Sequence, residues 1–133
     1  MSSSKVAPFR YTLDTASSTA CCTAHGVLTL ADVEAHQSTL TAERDFNSIG
    51  AILWDFSEAT GFDHSVARFV EKAEIGFAGK GKRRALVSPV KNDVRKLLDL
   101  WVLHCQAQGD SGVRCFDSVD KARVWLEGAR VIS

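Results

Sequence analysis

The chain has 133 residues, 45% of them hydrophobic and 24% charged, with Lys plus Arg (16) balancing Asp plus Glu (16). That length suffices for one domain that buries a sizeable core without covalent staples. The even charge balance supplies no overall field to draw nucleic acid or an anionic membrane, and no apolar run approaches the roughly 18 residues that cross a bilayer.

The chain starts on Met1-Ser2-Ser3-Ser4-Lys5-Val6-Ala7-Pro8, which is polar and lacks the apolar stretch of a secretory signal. Residues 1–8 are expected as a flexible leader, residues 9–133 as a single domain, and the location as cytoplasmic. Phe9 to Asp14 alternates apolar and polar, as a half-buried strand does. Thr15–Ser18 reads as a polar turn and Thr19–His25 as a second strand, so the two should form an antiparallel hairpin. Thr29 with Asp32 three residues on is a capping pair, and it opens a helix expected from Leu30 to Arg44. The stripe of that helix (Leu30, Val33, Gln37, Leu40) is thin, interrupted by polar His36 and Gln37.

Ala51-Ile52-Leu53-Trp54-Asp55-Phe56 is a buried central strand, and Ser57–Phe62 reads as a turn. Asp63-His64-Ser65 then opens the cleanest amphipathic helix, with Val66, Phe69, Val70, Ala73 and Phe77 on one stripe. Arg84–Pro89 is a short apolar strand, and Asn92–Gln108 a long helix whose apolar band takes in Leu97, Leu98, Leu100, Trp101 and Leu103. Val113–Phe116 is a last strand, and Ser118 caps a final helix that turns Ala122, Trp125 and Leu126 inward. The order β-β-α-β-α-β-α-β-α implies an α/β fold with a mixed, mostly parallel five-stranded sheet and one antiparallel edge.

Few motifs in the chain carry chemistry. Gly76-Phe77-Ala78-Gly79-Lys80-Gly81-Lys82 has the spacing of a phosphate-binding loop, but Arg83 stands where Ser or Thr must reach magnesium. A helix also precedes it and a strand follows, the reverse of what places phosphate on a helix N-terminus. The basic cluster Lys80, Lys82, Arg83, Arg84 reads instead as a solvated loop able to meet a phosphate or an acidic partner. Asp55 at a strand end lacks the acidic pair a phospho-acceptor aspartate needs. Cys21, Cys22, Cys105 and Cys115 show no metal-ligand spacing, nor do the four histidines, so reduced thiols, no metal and no cofactor are expected. No nucleophile–base arrangement is visible, and the chain is not expected to be an enzyme.

At Asp55-Phe56-Ser57 and Phe62-Asp63-His64-Ser65 the chain resembles a STAS domain, the fold of bacterial anti-sigma-factor antagonists. That family ends a strand in Asp or Asn-x-Ser and begins the next helix with Asp-x-Ser, at this spacing. Cys115-Phe116-Asp117-Ser118 followed by Ala122-x-x-Trp125-Leu126 is similar to the SpoIIAA-like branch. The resemblance implies a regulatory protein-interaction module with Ser65 as phosphorylation site and Asp63 as its flanking acid. The expected partner-binding rim is Asp55, Ser57, Asp63, His64, Ser65 and Val66, Val66 standing where the family usually has Gly. The implied partner is an anti-sigma factor or kinase-like protein. A related branch of the fold binds lipid-like ligands, so a small apolar ligand, or a homodimer, at a face of Leu100, Trp101 and Leu103 is the alternative.

Overall fold

The computed structural model describes residues 7–63, 82–89 and 93–132. Five strands lie side by side in chain order: β1 (Phe9–Asp14), β2 (Thr19–Leu28), β3 (Ala51–Phe62), β4 (Arg83–Val87) and β5 (Val113–Phe116). β1 runs antiparallel to β2, and every later pair is parallel. Among the described residues the helices are α1 (Leu30–Thr41), α2 (Asp93–Ala107) and α3 (Val119–Ile132). The expected helix from Asp63 to Phe77, and the loop motif up to Gly81, lie outside the described residues.

Strand periodicity sorts the core into two layers. Tyr11, Cys22, Trp54, Leu86 and Cys115 form one register row across all five strands. They face α1 and α2, whose Val33, Leu40, Val94, Leu98 and Trp101 complete that layer. Ala51, Leu53, Ala85 and Val87 face the other way, onto Ala122 and Leu126 of α3. Cys21 and Cys22 accordingly diverge: Cys22 is buried in the first layer, while Cys21 lies 4.0 Å from the Arg123 guanidinium on α3. The four cysteines are free thiols, and burial pushes Cys115 up to about 12, which keeps it protonated and unreactive.

Local chemistry sets the element ends. The Thr29 side chain accepts from the Asp32 amide at 3.1 Å, and the Asp32 carboxylate accepts from the Thr29 amide at 3.0 Å, closing a reciprocal cap on α1. Ser118 Oγ accepts from the Lys121 amide at 3.1 Å at the start of α3. α2 ends at Gly109, whose φ of +86° suits glycine, and the Gln108, Gly109 and Asp110 amides satisfy its last carbonyls.

Three expectations need correction. Ser57–Phe62 is not a turn: β3 continues through it, because β2 also runs on to Leu28 and pairs His25 with Glu58, Gly26 with Ala59, Val27 with Gly61 and Leu28 with Phe62. Register shifts near Ala24 and Gly26 let two polar, glycine-containing segments stay paired. His36 is not a polar interruption at the edge of α1. It is 5% exposed, stacks on Phe9 at 4.3 Å, and its Nε2 accepts the Trp54 indole N–H at 2.9 Å. Nor is Arg84 part of a solvated loop. It is fully buried on β4, in the row of Ile52 and Val113, and pairs with Asp110.

Candidate functional site

The parallel strands end on one edge of the sheet, where β4 stops at Val87 opposite Asp55 while β3 runs on to Phe62. Beyond Asp55 the described sheet narrows to a two-stranded ribbon of His25–Leu28 and Glu58–Phe62. Phe56 and Ala59 are buried and root this ribbon in the core, with Phe62 edge-on to Phe56 at 6.0 Å. Ser57, Glu58 and Thr60 are exposed on it. In open α/β sheets, the carboxyl ends of strands are where ligands and partners are met.

Asp55 and Ser57 form a small fixed unit at the base of the ribbon. The Ser57 amide donates to Asp55 Oδ1 at 2.9 Å, and the Ser57 hydroxyl donates to the same oxygen. This fixes the carboxylate and leaves Oδ2 without a partner among the described residues, as an acceptor at the rim. Asp63 follows directly on the ribbon, its amide donating to the Leu28 carbonyl at 3.0 Å. Asp55, Glu58 and Asp63 together make this rim acidic. The strand-end motif and the flanking acid are thus joined by a hydrogen-bonded strand. His64, Ser65 and Val66 lie outside the described residues.

The neighbouring strand ends are tied to helix starts. The Ser88 amide donates to the Phe116 carbonyl at 2.9 Å, and the Ser88 carbonyl accepts from Arg95 at the same distance. Arg95 also pairs with Asp99 at 3.1 Å. Asp117 sits before α3 with its carboxyl held below the usual range by the Lys121 ammonium.

The residues of the alternative face point different ways. Trp101 is buried in the core beside Trp54, whereas Leu100 and Leu103 are exposed, Leu103 by 61%. Sequence reasoning missed two further arrangements. One is the aromatic cluster of Phe9, Tyr11 and Trp54 around His36, which borders a cleft of about 200 Å³ between β1 and α1. The other is a basic cavity at the opposite edge of the sheet, where Arg83 of β4 lies over Trp125 of α3 at 4.6 Å. The aromatic cluster has no signal in the linear sequence, whereas the basic cavity had a partial one in the run Lys82-Arg83, whose neighbours Arg114 and Trp125 come from distant parts of the chain.

Among the described residues no group of three or more His, Cys, Asp or Glu is placed to hold a metal ion, and no helix is long and apolar enough to cross a membrane.

With this geometry the chain is similar to the anti-sigma factor antagonist SpoIIAA in its unphosphorylated form, at 17% sequence identity, over 94% of this chain and 98% of that one, with a TM-score of 0.56. It is likewise similar to a DUF3478-family protein with a SpoIIAA-like fold from Shewanella loihica PV-4, at 19% identity, over 95% of this chain and 99% of that one, with a TM-score of 0.57. No protein-family model and no curated protein matches the chain. The fold is therefore STAS-like, of the SpoIIAA type, as the short motifs implied.

Proposed function

We propose that the chain is a non-enzymatic regulatory module that binds a protein partner, of the anti-sigma-factor or kinase-like class, through the rim from Asp55 to Val66. The observation that carries this reading is the run-on of β3. A hydrogen-bonded strand links Asp55 and Ser57 to Asp63 and presents exposed polar groups between them. Likeness to SpoIIAA along nearly the whole chain supports the same reading.

Ser65 is the proposed switch. A phosphoryl group there brings a charge of roughly −1.5 to −2 two residues after Asp63, and closing an interface over it requires desolvating that charge. Ser65→Asp is therefore expected to weaken partner capture by about tenfold or more, while Ser65→Ala keeps it. Phosphosite mapping of the native protein with a quantitative pull-down of the three forms tests this. An unmodified Ser65 together with equal capture by all three forms contradicts the switch.

A second reading, a carrier for a small apolar ligand, draws on the cleft bordered by Phe9, Tyr11 and His36 and on the exposed Leu100–Leu103 pair, which also suits a homodimer. Native mass spectrometry of gently purified protein decides it: a bound small molecule or a dimer supports this reading, and an empty monomer removes it.

A further inference from the structure

We propose that the cavity at the amino-terminal edge of β4 and β5 binds a small molecule through a phosphate or pyrophosphate group. It encloses about 540 Å³, within the range of small-molecule sites, and is bordered by Lys82, Arg83, Asp110, Ser111, Arg114 and Trp125. It lies at the opposite end of the strands from the Asp55–Asp63 rim, so it stands apart from the partner-binding reading.

Two guanidinium charges in this cavity are held against aromatic rings. The Arg83 guanidinium carbon lies 4.6 Å from the centre of the Trp125 ring, and that of Arg114 lies 5.8 Å from it and 5.6 Å from Phe116. These cation–π contacts restrain both side chains. Among the described residues neither guanidinium donates a hydrogen bond to the protein, so both can serve an oxyanion. The Lys82 ammonium is already committed, donating to the Phe46 carbonyl at 3.1 Å and to the Ile49 carbonyl and lying 4.7 Å from the centre of the Phe46 ring, so the two guanidiniums carry the site. Ser111 is exposed in the loop between Gly109 and Gly112 and adds a hydroxyl to the lining.

The one carboxylate on the wall does not cancel this field. Both oxygens of Asp110 contact Arg84 Nη2, at 2.5 and 2.6 Å, so the buried arginine neutralises it. Two guanidinium cations then border one cavity in a chain whose total charge is zero. A single carboxylate would engage one of them. A phosphate ester or pyrophosphate, with two or more charges and several acceptor oxygens, engages both, and forked guanidinium geometry favours it.

Trp125 supplies the readout, because Trp54 and Trp101 are buried in the core and give a constant background. Sodium pyrophosphate is titrated into the full chain at constant ionic strength, following tryptophan fluorescence and, independently, the 31P line width of the probe. The expected result is a saturable fluorescence change with line broadening, weakened about tenfold or more in Arg83→Gln/Arg114→Gln and unchanged in Arg123→Gln. A thermal melt matching wild type qualifies the double variant, and the single Arg114→Gln variant, expected to show an intermediate loss, serves if it does not. No saturable response, or equal binding by the arginine variants, overturns the proposal. Tighter binding of a glutamate-rich peptide than of pyrophosphate overturns the small-molecule assignment.

Discussion

Asp110→Ala is expected to destabilise the fold by about 3–5 kcal/mol, the largest loss for any polar substitution in the chain. Arg84 is fully buried in a row of apolar side chains, where an uncompensated guanidinium has neither water nor counter-ion. Asp110 is its counter-ion, reached from the turn after α2, and the Arg84 Nε–H also donates to the Lys82 carbonyl at 3.2 Å. Nη1 has no hydrogen-bond partner among the described residues, so the native pair already carries a desolvation cost. It follows that Arg84→Met combined with Asp110→Ala should recover most of the loss, because an apolar side chain suits this row better than an orphaned charge. Urea denaturation of the two single variants and the double variant measures this as a cycle. Losses that simply add would show that the two groups do not act as a pair.

Stability is expected to fall by about 3 kcal/mol as pH drops from 7 to 4 on account of His36 alone. Burial holds this imidazole neutral and lowers its pKa from 6.5 to about 4. Because the indole of Trp54 can only donate, His36 Nε2 must accept, and the native state requires the neutral tautomer. The unfolded chain takes up a proton near pH 6.5 and the folded chain only near 4. The contribution is therefore fully present above 6.5 and is lost progressively as pH falls to about 4. Denaturation midpoints across this range should show a slope that flattens in His36→Leu. That variant should also be less stable at pH 7 by about 1–3 kcal/mol, since the Trp54 N–H loses its acceptor. An unchanged slope in His36→Leu would assign the acid sensitivity to other groups.

Much of the architecture was legible because it rests on local patterning. The alternation in Phe9–Asp14, the capping pair Thr29 and Asp32, and the apolar run Ala51–Phe56 each placed an element, and their order implied the sheet. The tail of β3 was not legible. Ser57-Glu58-Ala59-Thr60-Gly61 has turn composition, and only pairing with the equally unremarkable His25–Leu28 makes it a strand. Arg84 and His36 were misjudged for a related reason. A polar residue is assigned to the surface until its buried partner is known, and Asp110 and Trp54 lie 26 and 18 residues away. The Asp55–Ser57 unit was visible as a motif, whereas its hydrogen-bonded link to Asp63 emerged from the fold. The Arg83–Trp125–Arg114 stack depends on register between β4, β5 and α3 and has no counterpart in the linear sequence.

The central claim, that the rim beyond the end of β4 is a partner surface governed by Ser65, is tested most directly by photo-crosslinking from a single site. A photoreactive side chain at Thr60, exposed on the ribbon, is compared with one at Val124, exposed on α3. The account predicts that Thr60 crosslinks one defined protein, that Val124 does not, and that the product disappears in the Ser65→Asp background. Equal crosslinking from both positions, or a Thr60 product untouched by Ser65→Asp, would contradict it.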